Sequence, residues 1–191
     1  IYDYIARRTY HIHDDSSTQK TDTIIFSGEE VQIVSNTNLG RVRVYGFSAQ
    51  TQWQISSKLQ YSGALTLTKG DGNNLSGNLP SISPLFTVQK LDLTLKKGTL
   101  GLEWNFAKSK HPNSYSPWGE DGLEETPLLT DGSYAGTPAW HRFDLQFAYP
   151  INTFFNLSGG VFNLFDIHYR EFASGISVPG RSLKLVLRYQ L

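Results

Sequence analysis

The chain has 191 residues, of which 39% are hydrophobic, 13% aromatic and 18% charged, and its 17 Lys and Arg balance 17 Asp and Glu. This excludes a disordered chain, which carries more charge and fewer aromatics, and it excludes the global basic excess of a nucleic-acid binder. With no Cys in the sequence, neither a disulfide framework nor a Cys-ligated zinc site can form.

In chain order, residues 1–12 alternate only weakly, with Tyr2, Tyr4 and Tyr10 on one face. Tyr45, Phe47, Trp53 and Ile55 then alternate with Val44, Gly46, Ser48, Gln52 and Gln54. Leu59, Tyr61, Leu65 and Leu67 alternate with Lys58, Gln60, Ser62, Ala64, Thr66 and Thr68. Leu91, Leu93 and Leu95 are interleaved with Lys90, Asp92, Thr94 and Lys96, and Leu100, Leu102, Trp104 and Phe106 with Gly101, Glu103, Asn105 and Ala107. The same period runs through His141, Phe143, Leu145, Phe147 and Tyr149, and through Phe155, Leu157 and Val161. It ends with Leu183, Leu185, Leu187, Tyr189 and Leu191 set against Ser182, Lys184, Val186, Arg188 and Gln190. Period 2 makes each segment a strand with two unlike faces, about eight strands in all. No run of about 18 or more apolar residues exists for a membrane helix, but a barrel strand needs only about 9–11 residues of alternating polarity.

Short connections (Ser56 and Ser57, Lys97 and Gly98, residues 150–153) alternate with long ones (residues 14–29, 70–85, 109–137 and 163–180). Consecutive antiparallel strands send alternate turns to opposite ends of a sheet. All short turns therefore belong on one rim and all long loops on the other, the layout of an outer-membrane barrel. A soluble sandwich alternates as well, with its apolar set inward. The membrane reading is favoured by the length of the segment 40–55, by aromatics near strand ends (Trp140, Tyr149, Phe154, Phe155, Tyr189), and by mid-strand charges at Asp92, Glu103, Asp144 and Lys184. Pro179 and Gly180 read as a turn before Arg181 opens the last strand; Asp71 with Gly72 and Asp131 with Gly132 read as turns too. Gly159 and Gly160 mark either a bend or a close approach by a neighbouring aromatic, and a helical turn fits residues 163–173.

Three segments carry a resemblance to a known family. The first runs from Asn38 through Gly40 to Tyr45, Gly46 and Phe47; the second runs from Gly77 through Leu79 and Pro80 to Pro84 and Leu85. The third joins Asn163, Leu164, Phe165, Asp166 and Tyr169 to Pro179, Gly180 and Arg181 and then to the terminal strand. In this order they resemble the C-terminal barrel half of TonB-dependent outer-membrane receptors, over about residues 36–191. That family usually closes on an aromatic residue where this chain has Leu191, but Leu187, Tyr189 and Leu191 still resemble the outer-membrane assembly signal. The resemblance implies an all-β, antiparallel, up-and-down transmembrane barrel. Residues 1–191 would then be one segment of about eight strands, the last part of a 22-stranded barrel. It starts at Ile1, contains no Met and shows no signal-peptide pattern, as expected of a mature protein or a section of a longer one. The family's plug domain and TonB-engaging motif are not found in this sequence.

The implied function is transport, not catalysis: TonB-driven import of a large scarce nutrient such as a siderophore, cobalamin or glycan, in the cell outer membrane of a Gram-negative bacterium. The implied partners are outer-membrane lipid, the rest of the barrel and plug, TonB through that plug, the outer-membrane assembly machinery and the imported ligand. No nucleic acid and no cofactor are expected. A complete eight-stranded barrel with a structural or adhesion role is the alternative, and a soluble carbohydrate-binding β-sandwich a third reading. In the loop 109–137, His111, Tyr115 and Trp118, with Trp140 just beyond, are candidates for ligand contact, because aromatics bury much area at low entropy cost; the plain reading is an ordinary loop with interfacial aromatics. His11 and His13, near Asp14 and Asp15, form the one metal-like cluster, set against a polar strand end entering a solvated loop; no metal is expected. The acid pairs Glu29–Glu30 and Glu124–Glu125 are adjacent in loops, which does not fix glycosidase geometry.

Overall fold

Alternating polarity becomes a sheet once neighbouring strands align their apolar positions in register. The computed structural model describes residues 2–9, 12–13, 20–21, 23–72, 78–117 and 119–190. Twelve strands occur among them: β1 (Tyr2–Thr9), β2 (Ile12–His13), β3 (Lys20–Thr21), β4 (Thr23–Phe26), β5 (Glu29–Gln32), β6 (Val34–Gln54), β7 (Leu59–Gly72), β8 (Phe86–Thr94), β9 (Thr99–Ala107), β10 (Trp140–Pro150), β11 (Phe155–Phe162) and β12 (Ser182–Tyr189). Eight of them form one sheet in the order β1-β6-β7-β8-β9-β10-β11-β12, every neighbour antiparallel. The pairs β2–β3 and β4–β5 are small separate ribbons within the first long connection.

Two register rows show that the sheet has two unlike faces. Trp53 lies opposite Tyr61, then Leu91, Leu102, Leu145, Val161 and Leu183 follow strand by strand. The alternate row reads Gln52, Ser62, Lys90, Glu103 and Asp144. No second layer covers the apolar face among the described residues: Trp53 is 62% exposed and Leu183 70%. A soluble sandwich would bury that face against another sheet, so the structure does not support that reading. β1 and β12 are the two outer strands and do not pair, so these eight strands form an open arc and not a closed small barrel.

The short connections are tight. Ile55 N–H donates to Leu59 O at 2.9 Å, Leu95 N–H to Gly98 O at 3.0 Å and Ile151 N–H to Phe155 O at 2.9 Å. All three lie on one rim, opposite the long loops. Strand β6 is longer than the segment read from the pattern. Beyond a bulge at Gly40 (φ 74°), where Asn38 Oδ1 accepts from Gly40 N–H at 2.8 Å, its first residues continue the ladder with β1. Within the expected loop over residues 14–29, β3, β4 and the first residue of β5 belong to two short ribbons.

Other local expectations change as well. Asp71 and Gly72 are not a turn: they extend β7 opposite Arg43 and Val42, because the ladder with β6 runs on past the other strands. Residues 163–173 form no helix; Asn163, Asp166 and Ala173 have positive φ (52°, 55° and 58°), which breaks any helical run. Gly159 and Gly160 meet neighbouring backbone and not an aromatic ring. A Cβ would fall 2.3 Å from Lys184 O at Gly159 and 2.5 Å from Leu145 O at Gly160.

Candidate functional site at the loop rim

The polar-face rim of the sheet is closed over by its own loops. At the centre of the first cluster is Lys110, whose side chain is 5% exposed and whose Nζ donates to Ile82 O at 2.6 Å and to Asp121 Oδ2 at 3.3 Å. The same ammonium lies 4.0 Å from the ring centroid of Phe172 and 5.2 Å from that of Tyr115, both cation–π distances. Asp121 also accepts from the backbone N–H groups of Ser81 at 2.7 Å and Ser116 at 3.3 Å. Tyr115 pairs its hydroxyl with Thr137 Oγ1, and Asn78 Nδ2 donates to Asn113 O at 2.6 Å. Loops 78–85, 108–139 and 163–181 are thereby joined around one buried ion pair. Burial lowers the Lys110 pKa against the pull of Asp121, and burial likewise raises that of Tyr115.

A second cluster holds the last loop to the sheet. Asp144, buried on the polar face, accepts from Asn163 N–H at 2.8 Å and pairs with Arg142 Nη2 at 3.0 Å. Arg142 Nη1 donates to Tyr169 Oη at 3.1 Å. The Asn163 amide spans its own loop. Its Nδ2 donates to Ile167 O at 2.9 Å and to Pro179 O at 3.3 Å, while its Oδ1 accepts from Ile167 N–H at 3.0 Å. Arg181 N–H donates to Asp166 Oδ1 at 2.6 Å, and Leu164 N–H to Phe143 O at 2.8 Å. Gly180 fits against Asp166 because it lacks a Cβ, which would sit 2.7 Å from Asp166 Oδ1. The motif residues Asn163, Leu164, Asp166, Tyr169, Pro179, Gly180 and Arg181 thus meet in one hydrogen-bonded knot. Phe165 instead projects edge-on to Phe143 at 5.5 Å on the apolar side.

Between the two clusters lies a cavity of about 550 Å³, with Glu125, Trp140, His141, His168, Arg170 and Glu171 among its lining residues. That volume lies within the usual range of small-molecule sites, about 300–1,000 Å³. Arg170 spans it, donating to Glu125 O at 2.6 Å with Glu125 Oε2 at 3.6 Å. Trp140 is 6% exposed, packs tilted against Tyr169 with centroids 4.2 Å apart, and has no partner for its indole N–H among the described residues.

The residues singled out from the sequence are thus dispersed. His111 is exposed and caps a 3-10 turn over Pro112–Ser114, its Nδ1 accepting from Asn113 N–H at 3.4 Å. Tyr115 packs inside the Lys110 cluster, so its ring is not presented at the surface. Trp140 is in phase with Arg142 and Asp144 on the polar face, under Tyr169, so it is not part of a lipid-facing girdle. Leu187 and Tyr189 are exposed on the apolar face, with Tyr189 against Phe155 at 5.1 Å. Trp118, Leu191, His11, Asp14, Asp15 and the side chain of His13 lie outside the described residues. Among the described residues no three His, Asp or Glu gather as metal ligands. Sequence reasoning missed Lys110, His168, Arg170 and Glu171, which carry no periodicity and meet only through loop folding.

A family model described as TonB dependent receptor-like, beta-barrel, matches residues 3–164. Among solved structures, the copper transporter OprC superposes with a TM-score of 0.70 at 20% identity, covering 83% of this chain and 25% of that one. A mutant of the ferric enterobactin receptor PfeA from Pseudomonas aeruginosa gives 0.61 at 16% identity, covering 98% and 27%. The siderophore receptor PiuA from Acinetobacter baumannii gives 0.57 at 18% identity, covering 81% and 23%. No curated protein matches the sequence. The chain spans about a quarter of the length of these structures. With the match over residues 3–164, the two-faced open sheet and the uniform placement of its long loops, the chain belongs to the TonB-dependent receptor β-barrel family.

Proposed function

We propose that this chain forms a wall section and outer loops of an outer-membrane receptor that imports a large scarce nutrient with energy delivered by TonB. The observation that carries the reading is the sheet itself: one face apolar and uncovered, the other polar, with every long loop on one rim. Such a wall suits lipid outside and a wet lumen inside. The complete receptor supplies the plug that engages TonB, and the assembly machinery inserts the barrel. The cargo class is a chelated metal, on the analogy of the copper, ferric enterobactin and siderophore proteins that share the fold. Cobalamin and a glycan are the competing cargoes. The loop that bears His111, Tyr115 and Trp118, with the adjoining cavity that Trp140 lines, is the proposed ligand-facing element.

The test is uptake by cells whose only copy of the receptor is the full-length protein. Radioiron presented as a siderophore complex should accumulate, and uptake should stop when TonB is deleted. Removal of residues 119–135 should abolish it while the barrel still reaches the outer membrane. Uptake that persists without TonB overturns the transport reading. TonB-dependent uptake of cobalamin or a glycan, with none of iron or copper, overturns the cargo class alone.

A further inference from the structure

The short-turn rim has a charge pattern that neither the wall nor the loops require. Lys58 lies in the β6–β7 turn, Lys96 and Lys97 in the β8–β9 turn, and all three are exposed. The turns adjoin, since Thr94 N–H donates to Lys58 O at 2.7 Å. Residues 55–59, 95–98 and 150–155 contain no Asp or Glu. None of the three lysines enters an ion pair among the described residues, and Asp92, the nearest acid in sequence to Lys96, pairs with Lys90 at 3.0 Å on the polar face. Ammonium groups held on adjoining turns repel one another, and an external anion relieves that repulsion.

The same rim shows where such an anion resides. Trp53, Tyr149, Phe154 and Tyr189 stand exposed at the turn ends of their strands or in the turn itself. Trp and Tyr settle at the level of lipid headgroups, with the ring in the apolar layer and the polar edge in water. Lysines one turn further out carry their charge on flexible stems at that same level. A basic patch at headgroup depth attracts anionic lipid, and one in free solution does not need the aromatic row.

We propose that the β6–β7 and β8–β9 turns bind the phosphate headgroups of anionic phospholipids in the leaflet at the short-turn end. The proposal rests on the reading that the apolar face meets lipid. The full-length receptor would be reconstituted into phosphatidylcholine vesicles with or without phosphatidylglycerol, re-extracted, and its retained lipids counted by native mass spectrometry. Phosphatidylglycerol should be retained over phosphatidylcholine. The preference should fall about fivefold per lysine removed in the triple variant Lys58→Gln, Lys96→Gln, Lys97→Gln. The triple Lys→Arg variant, which keeps the charge, should retain it. Unchanged retention in the Gln variant overturns the proposal. So does displacement of the lipid by glycerol phosphate in solution, which would show that a free anion suffices. A receptor that inserts into neither vesicle overturns the membrane reading together with the proposal, whereas insertion without lipid preference overturns the proposal alone.

Discussion

Gly63 makes room for polar atoms on the otherwise apolar face of the sheet. Tyr61, Gly63, Gln89 and Thr87 share that face by register. The Tyr61 hydroxyl donates to Gln89 Oε1, Gln89 Nε2 donates to Thr87 Oγ1, and Thr87 Oγ1 donates to Ala64 O at 2.7 Å. The chain of donors ends on a backbone carbonyl, so the hydroxyls and the amide oxygen are satisfied without water. A Cβ at position 63 would lie 2.4 Å from Gln89 Oε1 and 2.7 Å from Tyr61 Oη. Both atoms are at the ends of flexible side chains, so Gly63→Ala displaces them and does not strain the backbone. The cost is the broken hydrogen bond, about 1–3 kcal/mol for a buried polar group left unpaired, and more where lipid is the only neighbour. Urea unfolding of the full-length receptor in micelles should show that loss. Combining Gly63→Ala with Gln89→Leu and Tyr61→Phe should recover most of it, since nothing polar is then left to strand. If the triple variant is no more stable than Gly63→Ala alone, the notch does not act through these hydrogen bonds.

The loops behave as one element because Lys110 and Asp121 sit between them, 5% and 1% exposed. Breaking a buried pair from one side strands the other charge, at about 3–5 kcal/mol. Asp121→Asn removes the anion opposite Lys110 and weakens acceptance from Ser81 and Ser116, so loops 78–85 and 108–139 should loosen together. Hydrogen exchange of the full-length receptor should show faster exchange in both segments, with the strands unchanged. Adding Lys110→Met should return part of the protection by removing the stranded cation. Exchange that rises only around the substituted position would mean that the loops are held independently. This cluster is where the sequence was least legible. Strands β7 to β12 follow from period 2, because a sheet with two solvents imposes that period at every position. Lys110 and Asp121 lie in stretches without periodicity, and their pairing depends on a loop returning through space. The length of β6 was hidden for a different reason: the Gly40 bulge shifts its register with β1 and breaks the alternation that would have extended it. Trp140 reads as a girdle aromatic from its place at a strand end, but its phase with Arg142 and Asp144 and the loop residue Tyr169 packed on it put it on the polar face.

At the scale of the molecule, the arc has two open edges and a polar lining that sets how large a closed wall must be. An eight-stranded barrel has an interior just wide enough for side chains to fill. Here that interior would receive Lys90, Asp92, Glu103, Arg142, Asp144 and Lys184, which a dry, filled core tolerates only when every charge is paired. It would also have to join the 21-residue β6 and 14-residue β7 to strands of 8 or 9 residues at β8, β9, β11 and β12, leaving much of the longer pair without neighbours if β1 met β12. A wider barrel avoids both problems, keeping the charges in water and giving each edge a further strand. Left open in a bilayer, the backbone groups of β1 and β12 would lack partners, at several kcal/mol each. Residues 1–191 expressed alone and refolded into detergent should therefore give no compact monomer whose gel mobility shifts on heating. Mixed oligomers, formed as edges pair between copies, are the expected product. The full-length receptor under the same conditions should give the heat-shifted band. A discrete heat-shifted monomer from the 191 residues would show that these strands close on themselves, and the large-barrel architecture would have to be abandoned for this chain.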